Sequence, residues 1–163
     1  MSSRPEKRGP YVGSMMRVVH QWVLEHVYAR VVAAGYEDLG RSQVSIFRYP
    51  TPDGLRPSEL AEQLRITKQS VNGVLRDMEA LGYLTRVRDP SDGRARVIRL
   101  TAKGKHLEAI VYDGARSAER AIAELLGQSG FAHLRSSLGK VVRCISQGNL
   151  PPSREREQIK PSR

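Results

Sequence analysis

Between Arg56 and Thr101 the apolar positions change their spacing twice. Leu60, Ala61 and Leu64 recur at helical steps, which predicts a short amphipathic helix opened by Pro57, since proline costs little at a first helical position. Val71, Val74, Leu75, Met78 and Leu81 then form a second stripe at three- and four-residue steps. Lys68, Gln69, Asn72, Gly73 and Arg76 fall on its opposite face. Thr67 is placed to cap this second helix, and Gly82 to end it in a left-handed conformation. The Arg65-Ile66 link between the helices leaves room only for a sharp turn. A β-type run follows, with a Pro90-Ser91-Asp92-Gly93 tip and arginines on both arms.

Two helices across a tight turn, followed by a basic hairpin, make a winged helix-turn-helix over 56–101. The flanks read as long helices. From Tyr11 to Ala34 the pattern is helical, but its apolar residues exceed one stripe: Met15, Val18, Val19, Trp22, Val23, Val27 and Val31 are joined by Met16, Leu24, Tyr28 and Val32. A helix apolar on several sides needs burial on several sides, so a second subunit is the expected cover. Gly35 stops this helix, and a short one from about Arg41 to Arg48 runs into Pro50 and Pro52. Asp53-Gly54 predicts a turn, with Leu55 as a one-residue edge of the hairpin sheet. Thr101 suits the cap of a further long helix with Leu107, Ile110, Val111, Ala118, Ile122, Leu125 and Leu126 on its face. Gly127 to Gly130 predicts a break, and Phe131 to Ile145 a last apolar helix. The expected organisation is a disordered basic arm (1–10), one domain (11–148) with dimerisation helices at 11–34 and 102–147, and a mobile tail (149–163). The fold class is mainly α with a small β wing.

Charge sharpens the reading. The chain carries a net +10, and 56–105 alone holds 11 Lys/Arg against 6 Asp/Glu, so the winged segment is itself basic. A positive excess favours polyanions through phosphate neutralisation. The single cysteine, Cys144, excludes an internal disulfide and a multi-thiolate zinc site. No apolar run approaches the roughly 20 residues needed to span a bilayer, and the N-terminus lacks a secretion-signal core, so a cytoplasmic location and no membrane partner are expected. No phosphate loop, nucleophile elbow or His-Glu metal motif occurs; the expectation is no enzyme, no catalytic residues, no metal and no cofactor.

Several short motifs then converge. Leu60-Ala61-Glu62, Thr67-Lys68-Gln69-Ser70-Val71, Leu81-Gly82-Tyr83-Leu84, Asp89-Pro90-Ser91-Asp92-Gly93-Arg94 and Leu100-Thr101-Ala102-Lys103-Gly104 together resemble the MarR family of bacterial winged helix-turn-helix transcription regulators. The close match runs from about Leu55 to Lys105. The resemblance implies a homodimer on a pseudo-palindromic operator in double-stranded DNA, most often a repressor, commonly released by a small-molecule effector. An architectural or constitutive DNA-binding module without an effector is the alternative.

On this reading the helix opened by Thr67 enters the major groove. The amides of Gln69 and Asn72 suit adenine edges, Arg76 reaches a guanine or a phosphate, and Thr67, Lys68, Ser70 and Gly73 complete the surface. At the wing, Arg94 is the minor-groove probe. Asp92 either braces its guanidinium or caps the turn, the arrangement the resemblance assigns to this pair, and Arg86, Arg88 and Arg96 serve phosphates. Trp22, Tyr28 and Tyr36 are candidates to line an effector pocket, equally suited to core or interface. Cys144 reads as a buried, inert thiol.

Overall fold

The computed structural model describes residues 10–47 and 51–149. The expected basic arm, the Arg48–Pro50 helix end and nearly all of the expected tail lie outside those residues. Helix α1 (Val12–Ala33) is followed by α2 (Arg41–Val44), which passes directly into a 3₁₀ turn at Ser45–Phe47. Then come α3 (Pro57–Leu64), α4 (Lys68–Ala80), the antiparallel strands β1 (Leu84–Asp89) and β2 (Asp92–Leu100), and the long α5 (Ala102–Ser146). This is a mainly helical, winged helix-turn-helix fold. The chain divides into two compact units, one through Glu119 and one from Arg120 onward.

In the first unit a single core gathers side chains from every element. Val31, Leu39, Phe47, Leu60, Leu75, Met78, Tyr83, Leu84, Ile98 and Leu107 are all essentially removed from solvent. Each such aliphatic or aromatic side chain contributes about 1.5–3 kcal/mol. The expected stripes of α3 and α4 therefore meet as one layer, with the hairpin root closing it. The turn between them is made by Arg65 at φ 54°, the one non-glycine residue with positive φ among those described. The N–H groups of Arg65 and Ile66 donate back to Glu62 O and Ala61 O, both at 3.1 Å, ending α3 abruptly. At the far end of α4, Gly82 at φ 76° lets Tyr83 N–H reach Met78 O (2.9 Å) and its own N–H reach Glu79 O (3.1 Å).

Leu55 takes the place expected of it. Ile98 N–H donates to Leu55 O (2.9 Å) and Gly54 N–H to Ile98 O (2.8 Å), extending the outer edge of β2. The hairpin joins α5 at a tight junction. Thr101 Oγ donates to Gly82 O (2.7 Å) and accepts from Gly104 N–H (3.1 Å), so it caps α5 while holding the chain entering β1. Gly104 lies so close to that chain that a Cβ there would stand 2.0 Å from Tyr83 O.

The N-terminal half of α1 remains uncovered. Tyr11, Val12, Met15, Met16, Val18, Val19 and Trp22 are all exposed. In the second unit the expected break narrows to one residue: only Gly127 (φ 70°, ψ 160°) leaves helical geometry, and the helix resumes at once. That backbone region is open essentially to glycine alone. Here too Leu125, Leu126, Leu134, Leu138, Val141, Val142 and Ile145 are exposed. Cys144 is half-buried rather than fully enclosed, because its helix shows most of its surface to solvent.

Candidate nucleic-acid interface

Thr67 starts α4 by accepting Ser70 N–H on Oγ1 (3.1 Å), the cap its sequence position predicts. Val71, Leu75 and Met78 are buried, which turns the opposite face outward. Lys68, Gln69, Ser70 and Arg76 are exposed on that side, and Asn72 and Gly73 are half-buried. Among the described residues, the side chains of Lys68, Gln69, Asn72 and Arg76 have no hydrogen-bond or ion-pair partner. Nothing lies within 4 Å of where a Cβ on Gly73 would stand. The helix is fixed; these four side chains are free.

The wing is wired differently. Asp92 Oδ1 accepts the backbone N–H of Arg94 (3.1 Å), so of its two expected roles it performs the turn-capping one. The Arg94 residue itself is exposed at the tip. Arg88 and Arg96 stand directly opposite each other across the strands, both exposed. Like charges so placed destabilise a hairpin unless an anion lies between or beside them. Arg86, expected to serve phosphates, is engaged within the protein. Its guanidinium grips Glu79 on α4 (Nη2–Oε2 2.7 Å, Nε–Oε2 3.1 Å), and its backbone N–H reaches Oε1 (3.2 Å). The same contact holds the Glu79 carboxyl below its ordinary range. Arg96 Nη1 in turn donates to Arg86 O (3.2 Å). Arg56, Pro57, Ser58, Asn72, Arg86, Ala95 and Arg96 line one groove of about 420 Å³ between the two elements. Asn72 and the wing arginines, read separately from the sequence, are thus brought together.

Sequence reasoning passed over Arg56 and Asp89. Arg56 donates to Asp89 Oδ2 from Nε (2.8 Å) and Nη2 (2.6 Å), with Asp92 Oδ2 at 3.7 Å. Asp89 Oδ1 also accepts the N–H (2.8 Å) and hydroxyl (2.7 Å) of Ser91. Those Ser91 bonds first, and Arg56 second, hold the Asp89 carboxyl down to about 2. Asp89 is the one buried charged residue among those described, at 8% exposure. Asp89-Pro90-Ser91 carried the signal of a side-chain-capped turn, but nothing in a 33-residue separation announces Arg56 as partner.

The three effector-pocket candidates do not converge. A cavity of about 510 Å³ opens between α1, α2 and the first part of α5, lined by Val23, Leu24, Val27, Tyr28, Val44, Phe47, Val111 and Tyr112. Tyr28 is in its wall, with its hydroxyl on Leu39 O (3.0 Å) and the Arg41 guanidinium 4.4 Å above its ring. Arg41 also pairs with Glu25 (Nε–Oε1 3.0 Å). Trp22 lies outside the wall, its ring 5.3 Å from that of His26. Tyr36 packs instead beside Tyr83 and His106, at 6.0 and 6.2 Å.

The winged core carries the same signature in its relatives. The MarR family profile matches residues 39–95. An HTH-type transcriptional repressor of Mycobacterium tuberculosis is 35% identical over 89 residues, 53% of this chain. Over that core the chain resembles the MarR family. The matched stretch spans 64% of that repressor's own length. Among solved MarR-type structures, the transcriptional repressor CouR bound to a 23-mer DNA duplex superposes with a TM-score of 0.63 at 26% identity, over 81% of this chain and 92% of that one. CouR from Rhodococcus jostii RHA1 bound to p-coumaroyl-CoA gives 0.63 at 21% identity, over 80% and 90%. Among the described residues, no helix is long and apolar enough to cross a membrane.

Proposed function

We propose that this chain is a sequence-specific, double-stranded DNA-binding transcription regulator, a homodimeric repressor released by a small-molecule effector. The observation that carries the reading is one groove in which Asn72 of α4, whose side chain has no partner of its own, meets Arg86 and Arg96 of the wing. Thr67, Lys68, Gln69, Ser70, Asn72, Gly73 and Arg76 supply the major-groove surface. Arg94 probes the minor groove, Arg88 and Arg96 neutralise phosphates, and Arg86 and Asp92 shape the wing. The curated relative is a repressor and one solved neighbour sits on a DNA duplex, which supports the same assignment.

The domain comprises 11–148, with 56–101 as its DNA-binding core. The uncovered apolar side chains of α1 and of the second unit are surfaces a second copy would bury, which supports dimerisation through 11–34 and 102–147. The apolar cavity beside Tyr28 is the effector candidate, and the ligand-bound neighbour supports that role.

Selection of tight binders from a random duplex library tests the core claim. The expected product is a pseudo-palindrome with half-sites about one helical turn apart, bound with a strong salt dependence. Binding with equal strength to selected and random duplexes would instead identify an architectural module. Sedimentation showing only monomer at low micromolar concentration would overturn the dimer.

A further inference from the structure

We propose that Arg56 is a positioning residue that sets the wing. By clasping Asp89 and Asp92 it fixes the hairpin tip, and Arg94 with it, against the helix pair that carries the recognition face. This rests on the DNA-binding reading above only for its consequence at the duplex.

The hairpin cannot hold its own tip. Pairing runs regularly from Leu84↔Leu100 to Arg88↔Arg96 and then shifts between Arg88 and Asp89. Buried apolar side chains lie at the root (Leu84, Ile98, Leu100) and reach outward only to Val97, while Pro90 to Arg94 are exposed. A two-stranded ribbon without a covered face is marginal in water. The tip is therefore held by polar bonds, and these converge on one carboxylate. Asp89 binds Ser91 through one oxygen and Arg56 through the other. Arg56 is itself anchored at the start of α3, where Glu59 accepts its backbone N–H at 2.7 Å. Helix α3 packs on α4 through the shared core. The clasp thus joins the tip to the recognition helix by a short, charge-assisted route.

A rival role, direct phosphate binding by Arg56, conflicts with its commitment to two carboxylates. The two roles separate in a double-mutant cycle with Arg94→Ala, because a residue acting through Arg94 loses its effect once Arg94 is gone.

The test uses the full chain. Without DNA, Arg56→Gln should drop the amide order parameters of Gly93 and Arg94 into the flexible range, below about 0.6, and leave the interior of α4 unchanged. Arg56→Lys, which keeps a cation and guards against a folding artefact, should give an intermediate drop. On the selected duplex, Arg56→Gln should weaken binding about tenfold with Arg94 present, but less than about twofold in the Arg94→Ala background. Unchanged order parameters, or equal losses in both backgrounds, overturn the proposal. If the parent protein binds no duplex, the DNA-binding reading fails, and the order parameters alone decide for or against the clasp.

Discussion

Recognition helix α4 and the wing share one groove, yet they take their rigidity from different sources. Helix α4 buries Val71, Leu75 and Met78, is capped by Thr67 and closed by Gly82, and leaves Lys68, Gln69, Asn72 and Arg76 unattached. The wing buries little beyond its root, and several of its polar groups are engaged: Arg86 by Glu79, Asp89 by Arg56 and Ser91, Asp92 by the turn. Apolar burial orders a backbone without constraining the side chains that face away from it. Ion pairs order the side chains themselves. On the proposed function the helix would freeze long side chains on binding, at up to about 2 kcal/mol each for Lys or Arg, in return for freedom to fit base edges. The wing arrives largely arranged, which suits an element that senses groove shape rather than base identity.

The largest test strikes the root of the wing. Gly104→Ala places a methyl where the Tyr83 carbonyl stands, a clash between two backbone segments that no rotamer change relieves. We expect a loss of about 3 kcal/mol or more in urea unfolding. A loss below about 1 kcal/mol would show that the junction yields and that the wing is not rooted there.

Next comes the division of labour itself. Gln69→Ala or Asn72→Ala should cost about 1–3 kcal/mol on the selected duplex and relax preference at one base position. Arg88→Ala should weaken selected and random duplexes alike and reduce the salt slope by about one. Competition binding at two salt concentrations reads both. If the helix variants behave like Arg88→Ala, α4 is holding phosphates and the contrast drawn above fails.

How far the sequence disclosed this arrangement follows the same contrast. Helix α4, its Thr67 cap, its Gly82 stop and the Leu55 edge were legible because each depends on residues close in sequence or on a regular apolar period. The break at Gly127 was legible too, though its extent was not, since one glycine at φ 70° is enough to interrupt the helix. The Arg86–Glu79 pair was not legible because Glu79 lies on another element, and a basic side chain on a hairpin arm looks alike whether paired or free. Arg56–Asp89 was invisible for the same reason. The aromatic residues Trp22, Tyr28 and Tyr36 fell into three environments that their hydrophobicity alone does not distinguish.

A smaller effect tests how α4 is seated. Thr67→Ala removes the acceptor of Ser70 N–H and should destabilise the protein by about 1 kcal/mol, while Thr67→Ser should leave stability almost unchanged. Thermal unfolding distinguishes them. Equal stability of all three proteins would mean that the core alone sets where the helix begins.

The smallest expected effect has the opposite sign. Gly73 lies inside α4, where a glycine costs about 0.8–1 kcal/mol relative to alanine through the backbone freedom it loses. Its φ is not in the left-handed region, and a Cβ there meets no atom within 4 Å beyond its chain neighbours and the helix's own nearby backbone, so the fold itself gains nothing from the missing methyl. Gly73→Ala should therefore raise unfolding free energy by roughly 0.5–1 kcal/mol, a rise in Tm of a few degrees. Because the variant is more stable, any fall in its affinity for the selected duplex belongs to the contact surface and not to damage in the fold. Gly73 lies on the same face as Gln69, Asn72 and Arg76, which makes it the position where the loose surface of α4 can be altered without loosening the helix beneath. An unchanged or lowered Tm would show that the outer face of α4 is constrained by more than its free side chains reveal.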